Sequence, residues 1–265
     1  MWPLLLIPAV GYVLSTKCRI GSRGLESLRG RFYAHRGIHT PGTPENSLEA
    51  FQQAVEHGYG IELDVHLLRD GNLAVIHDHS LKRTASADIS IEDLTASDLA
   101  DYRLDGTHQQ IPLLSQVLQL VDGKVPLIVE LKSTKKNYAR LTQAAVALLD
   151  DYRGVWCMES FDPRCIYWLK KHRPEIIRGQ LAENFFRTKG GLNPLFKALM
   201  SWQMTHFLTQ PDFVAYKFRD RKNLGTFLSR KLWGAQGVSW TVQTQEELDT
   251  AVKEGWIPIF EGFLP

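Results

Sequence analysis

From about residue 32 onward, short apolar runs alternate with amphipathic stretches. The runs read as strands at 32–37 (FYAHRG), 60–68 (GIELDVHLL), 125–132 (VPLIVELK), 154–161 (GVWCMESF), 176–183 (IIRGQLAE), 213–218 (FVAYKF), 237–243 (GVSWTVQ) and 257–262 (IPIFEG). Helical spacing recurs between them at 47–57, 112–121, 137–150, 163–172, 222–231 and 244–255. In the first of these, Leu48, Phe51, Ala54 and Val55 share a face and Gly58 ends it. Thr43 is the expected cap, with Pro44 in the opening turn. Strands and helices in this alternation predict an α/β protein, a TIM (β/α)8 barrel rather than an open doubly wound sheet. No helical stretch follows the eighth strand, and residues 1–30 are expected to cover that part of the barrel instead.

Two intervals are longer than ordinary connections. Residues 69–111 open with the turn signal Arg69-Asp70-Gly71-Asn72 and a short run LAVIHD, which reads as a hairpin beginning an insertion after the second strand. Residues 184–212 contain NPLFKALMSWQMTHFL, apolar nearly all round. That stretch reads either as a lid over an apolar substrate tail or as a helix packed on the barrel.

The first segment differs from the rest, which divides the chain into an arm, 1–30, and a barrel domain, 31–265. Residues 1–16 carry no charged side chain, and Lys17, Arg19, Arg23, Arg29 and Arg31 follow. The run falls short of the roughly 20 residues that a spanning helix needs, and Pro3 and Pro8 weaken it. A basic start and a small-residue cleavage site, the marks of a secretory signal, are both missing. Residues 1–16 are therefore read as a short uncleaved membrane anchor, with the catalytic domain on the cytoplasmic side. The alternative is an apolar arm lying on the surface of a soluble cytoplasmic protein.

Composition changes this picture little. A chain of 265 residues with 44% hydrophobic content can bury a large core. A net charge of +2 with scattered Lys and Arg argues against a nucleic-acid partner. Cys18, Cys157 and Cys165 have no metal-binding spacing and read as reduced thiols. Oligomeric state is not legible.

The candidate chemistry sits at strand ends. Glu62 and Asp64 share a strand face, as do Glu130 and Lys132. His35 and Arg36 end the first strand, and His77-Asp78 ends the hairpin. In a barrel these groups converge on one mouth. Clustered carboxylates repel one another unless a cation joins them, and oxygen ligands suit Mg²⁺ or Ca²⁺ better than zinc. Arg36 and Lys132 beside such an ion would clamp a phosphate, and two histidines allow acid and base roles, a combination that suits phosphodiester cleavage. Of the other histidines, His66 shares the face of Asp64 and is the most plausible additional site residue. Glu45 and Asn46 read as helix-capping residues, with a supporting role beside the site as the alternative for Glu45, and Trp240 reads as core or as pocket wall. No Walker or dinucleotide fingerprint is present.

The motifs YAHRG (33–37), PENSLEAF (44–51), GIELDVHLLRDG (60–71), VIHDHSLKRT (75–84) and VELK (129–132), with weaker echoes in ESFDP and SWTVQT, resemble the glycerophosphodiester phosphodiesterase family from about residue 32 to the end. The resemblance implies a TIM barrel with an insertion after the second strand. It implies His35 and His77 as the acid–base pair, and Glu62, Asp64 and Glu130 as ligands of one divalent ion, Ca²⁺ or Mg²⁺. Arg36 and Lys132 would contact the phosphate; apart from the resemblance, Trp240 at its strand end is the further candidate for the substrate pocket. The implied reaction releases an alcohol and glycerol 3-phosphate from a small glycerophosphodiester. His66, Gln243 and Glu261 depart from the family's usual Gln, Asn and Asp, and none is expected to touch the core set. A lysophospholipase D-like activity on membrane lysolipids is the nearest rival. A tethered binding protein without catalysis is the rival from another class.

Overall fold

The computed structural model describes residues 2–21, 24–134, 136–188, 191 and 193–265. Its strands are β1 (Tyr33–His35), β2 (Gly60–Leu67), β3 (Leu73–Val75), β4 (Leu127–Leu131), β5 (Trp156–Ser160), β6 (Arg178–Ala182), β7 (Phe213–Lys217), β8 (Gln236–Val242) and β9 (Trp256–Phe260). Around them lie α1 (Trp2–Ser15), α2 (Leu48–Glu56), α3 (Lys82–Ala85), α4 (Leu114–Val121), α5 (Tyr138–Asp150), α6 (Pro163–His172), α7 (Pro194–Ser201), α8 (His206–Thr209), α9 (Leu224–Phe227) and α10 (Gln245–Lys253); α9 continues as a π turn over Leu228–Leu232.

All strands except β3 pair in parallel in the order β1-β9-β8-β7-β6-β5-β4-β2, and β1 also pairs with β2, closing an eight-stranded TIM barrel. β3 runs antiparallel to β2, with Val65 opposite Val75, as the turn at residues 69–72 predicts. α2 begins later than expected. Its cap is Ser47, whose hydroxyl accepts from the Ala50 N–H, and not Thr43. Asn46 has a left-handed φ of 56°, which breaks any helix before it and turns residues 44–46 toward the barrel mouth.

Outward strand positions such as Leu63, Val65, Val129 and Met158 pack under the helices in the main core. The inward positions form a second core at the amino-terminal ends of the strands, where Tyr33, Ile128, Cys157, Phe213, Val238 and Ile257 meet. A glycine makes room there. A Cβ on Gly179 would overlap the Phe213 ring. Leu25 and Leu28 seal this floor from below, and the Tyr33 hydroxyl donates to the Leu28 carbonyl at 3.0 Å.

The described part of residues 1–30 therefore does not replace a helix after β9, contrary to expectation. Residues 25–28 close the floor, where apolar inward side chains need a cover. The end of α1 docks elsewhere. Tyr12 donates to the Trp202 carbonyl at 3.2 Å, and the Trp233 indole to the Val13 carbonyl at 3.3 Å. Beside β9 the chain end itself folds back, with Tyr59 donating to the Pro265 carbonyl at 2.6 Å. No helix among the described residues is long and apolar enough to cross a membrane. α1 has 14 residues, about 21 Å at the α-helical rise, against a hydrocarbon core of roughly 30 Å. Arg23, one of the flanking basic residues, lies outside the described residues. The insertion 184–212 packs on the barrel, the second of its two expected roles. Met200 and Ser201 are buried and Tyr216 donates to the Ser201 carbonyl, while Phe196 stands at the mouth.

Candidate active site

The mouth is assembled from residues that begin where the floor's inward positions end. Tyr33 is followed inward by His35, Gly60 by Glu62 and Asp64, Ile128 by Glu130, Cys157 by Glu159, and Phe213 by Ala215 and Lys217. Arg36 follows β1 with φ 57°, and its N–H donates to the Glu62 carbonyl at 2.9 Å. The next residue must be glycine. Gly37 has φ 80°, and a Cβ there would lie 2.7 Å from the Ala50 main chain.

Glu62, Asp64 and Glu130 are all buried, and one oxygen from each lies within 4.8 Å of the others. Lys132 Nζ is 3.0 Å from Asp64 Oδ1 and 2.8 Å from Glu130 Oε1. Arg36 Nε is 3.2 Å from Asp64 Oδ2, and its Nη1 is 2.9 Å from Glu45 Oε1. Asn46 Nδ2 donates to Asp64 Oδ2 at 2.8 Å. Neither Glu45 nor Asn46 caps α2: Glu45 takes its alternative, supporting place against Arg36, and Asn46, contrary to the sequence reading, holds Asp64.

Burial dominates the electrostatics, and neighbouring charges then split the carboxylates. Burial pushes Glu62 well above the usual range, and Asp64, Glu130 and Glu159 add to the push. Burial would raise Asp64 too, but Lys132 and then Arg36 hold it well below. Glu130 is raised by burial to about 7, with Lys132 opposing. Three clustered carboxylates with unlike proton demands, offering only oxygen donors, fit a hard divalent cation.

Each candidate histidine has a carboxylate on one ring nitrogen. His35 Nδ1 lies 2.8 Å from Glu261 Oε2, and His77 Nδ1 lies 2.6 Å from Asp78 Oδ1. Asp78 is in turn held by Arg83 Nε. In both rings Nε2 remains, and both residues line one cavity of about 380 Å³ with Arg36, Glu62, Glu130 and Lys132. Burial lowers His35 below its ordinary value, although the Glu261 hydrogen bond opposes this. Burial lowers His77 to about 4, helped by Lys132 and Arg36 and opposed by Asp64. Glu261 thus touches His35, so one of the three departures from the family pattern bears on the core set after all.

The structure brings together all eight residues singled out in the sequence. Trp240 reaches the same cavity, with Phe161 edge-on at 5.5 Å and Lys217 Nζ 5.2 Å from its ring centre. The sequence reading missed Glu159, buried beside Glu130 in register, with one carboxylate oxygen unpartnered. It also missed the Glu183–Lys217 pair, 2.7 Å apart at the mouth. For the pair the signal was available, since Glu183 and Lys217 lie two or four residues beyond an apolar inward position; Glu159 is a lone carboxylate on its strand. A second, larger cavity of about 1190 Å³ adjoins the first through His77, Glu130, Lys132 and Phe161, and Pro163, Phe185 and Phe196 line it further out.

Residues 35–261 match the family model described as glycerophosphoryl diester phosphodiesterase family. The chain belongs to that family. As a member it is a phosphodiesterase. It is 29% identical over 238 residues to the glycerophosphodiester phosphodiesterase of Caldanaerobacter subterraneus subsp. tengcongensis, covering 84% of this chain and 89% of that one. It is 35% identical over 222 residues to YhdW of Bacillus subtilis, covering 80% and 86%. Among solved structures it is similar to an Oleispira antarctica phosphodiesterase determined with the product sn-glycerol-3-phosphate, with a TM-score of 0.71 at 20% identity over 87% of this chain and 92% of that one.

Proposed function

We propose that this phosphodiesterase hydrolyses glycerophosphodiesters to an alcohol and glycerol 3-phosphate, with Ca²⁺ or Mg²⁺ held by Glu62, Asp64 and Glu130. One observation carries the reading. Arg36, Lys132 and two carboxylate-oriented histidines line a single cavity with the buried Glu62 and Glu130, and the buried Asp64 completes the carboxylate cluster.

A divalent ion there would neutralise the carboxylates and draw charge from a phosphoryl oxygen. Arg36 and Lys132 supply the remaining positive charge where the phosphorane oxygens gain negative charge. Because Asp64 and Glu45 already hold these two cations, they are oriented before substrate arrives. Glu261 and Asp78 each accept from an Nδ1–H, which turns both Nε2 atoms toward the substrate, one bare as the base and the other protonated as the acid. One ring takes the proton of the attacking oxygen and the other returns a proton to the leaving alkoxide. Trp240 and Phe161 wall the glycerol side. The test is glycerol 3-phosphate release from glycerophosphocholine and glycerophosphoethanolamine with Ca²⁺, Mg²⁺ or EDTA. Release that EDTA abolishes and an ion restores supports the assignment; no release from folded, ion-bound protein overturns it.

The larger apolar-lined cavity favours a second reading, cleavage of lysophospholipids, with residues 1–16 lying on a membrane surface and the barrel on its cytoplasmic side. Val10 and Leu14 of α1 are exposed, as an interfacial segment requires. Choline release from lysophosphatidylcholine vesicles, without release from glycerophosphocholine, selects this reading.

A further inference from the structure

We propose that His66, Glu92 and His79 form a second cation site, suited to Zn²⁺ and separate from the carboxylate cluster. His66 follows Glu62 and Asp64 on the inward face of β2 and is buried; Glu92 lies in a short turn of the first insertion; His79 is exposed beyond the hairpin. One ligand atom from each lies within 4.8 Å of the others. Glu92 Oε1 is 2.8 Å from His66 Nδ1, and Glu92 Oε2 is 2.5 Å from His79 Nδ1.

The donor geometry makes this arrangement more than a polar cluster. His66 Nε2 faces the main-chain oxygen of His77 at 3.1 Å, which leaves Nδ1 as the ring atom presented to Glu92 and available to a metal ion. Two imidazole nitrogens and a carboxylate are a zinc donor set, softer than the all-oxygen cluster in the barrel. A zinc-bound histidine usually has its other N–H held by a carbonyl or carboxylate, as His66 has. Bonds of roughly 2.0–2.1 Å place tetrahedral ligands about 3.4 Å apart, so a small outward shift of Glu92 admits the ion. The remaining coordination position opens toward the larger cavity, which His66, His77 and His79 line. Such an ion ties the first insertion to β2. Through His66 it also steadies the main chain of His77. The site stands on its own geometry, whichever diester the mouth cleaves.

The full chain, kept in saturating Mg²⁺ to fill the carboxylate cluster, is titrated with Zn²⁺ and with Co²⁺. One saturable Zn²⁺ per chain is expected, with visible Co²⁺ bands of a four-coordinate nitrogen–oxygen site and a raised melting temperature. His79→Ala, which removes an exposed ring and so keeps the fold, should weaken Zn²⁺ binding by about tenfold or more. Glu92→Gln should do the same, and Glu130→Gln should leave Zn²⁺ binding intact. The proposal fails if no saturable Zn²⁺ binds beside Mg²⁺. It also fails if binding survives His79→Ala and is lost in Glu130→Gln.

Discussion

The two ends of the barrel are built from the same eight strands, yet they share almost no chemistry. At the floor the inward side chains are Tyr33, Ile128, Cys157, Phe213, Val238 and Ile257, sealed by Leu25 and Leu28. Two to four residues further along the same strand faces stand His35, Glu130, Glu159, Lys217, Trp240 and Glu261, and all but Glu261 line one cavity. A strand face alternates with period two, so a single register serves both ends. The floor has full packing and no charge to satisfy. The mouth accepts unfavourable burial of charge to hold a reactive array. Stability and chemistry are thus separated along the barrel axis rather than mixed.

Substitutions at one end test that separation most sharply when the other end serves as control. The largest effect is expected from His35→Ala or His77→Ala, each lowering kcat by about 10²–10⁴-fold. Melting temperature and divalent-ion affinity, measured by calorimetry, should stay close to wild type. Activity within threefold of wild type in either variant would remove that histidine from the mechanism.

Gly179→Ala should do the reverse. The added Cβ collides with the Phe213 ring, and overpacking of this kind costs about 1–3 kcal/mol. Denaturant melts should show the loss, while kcat per folded molecule stays unchanged. A fall in kcat with unaltered stability would mean that the floor and mouth are coupled after all.

Ion removal gives a smaller, pH-dependent effect. Glu62 and Glu130 are pushed above the ordinary carboxylate range, Glu130 to about 7. A raised folded value means these groups hold protons that the unfolded chain has already released. Their contribution is fully present below the unfolded value and disappears as pH rises through about 7. Compared with a Glu62→Gln/Glu130→Gln variant, which keeps the opposing contributions of His35 and His77, protein in EDTA should therefore lose melting temperature from pH 6 to pH 8, and Ca²⁺ or Mg²⁺ should reduce that loss. No difference in pH dependence between the two metal-free proteins would contradict the buried-carboxylate account.

Glu261→Gln should produce the mildest change. Glu261 opposes the downward shift that burial imposes on His35, so its loss lowers that ring further. The acidic limb of kcat/KM should move to lower pH, with a smaller loss of turnover than His35→Ala causes. Movement to higher pH would show that Glu261 does not orient His35.

Much of this was legible before the fold was known, for identifiable reasons. Glu62 and Asp64 in GIELDVH, and Glu130 and Lys132 in VELK, break apolar strands at period two, which marks an inward polar face at a strand end. His35, His77, Arg36 and Trp240 were legible for the same reason. Glu159 was not, because one carboxylate between Met158 and Ser160 has no partner on its own strand; only registry with Glu130 across β4 and β5 gives it company. Ser47 as cap, rather than Thr43, depended on the left-handed turn at Asn46, which points that side chain at Asp64. The arm was misplaced because its apolar content is the same whether it covers a floor, a flank or a lipid surface.

The sequence by itself determined the barrel, its eight strands and the residue types at its mouth, because hydrophobic period and strand-end polarity are local properties. Only the tertiary structure decided which charges neutralise which, that Glu261 serves His35, that Leu25 and Leu28 close the floor, and that His66 meets Glu92 and His79. Among those contacts, His79–Glu92 spans 13 residues of chain and His35–Glu261 spans 226. No local pattern encodes such contacts, because they exist only once the sheet has closed and the insertion has folded over it.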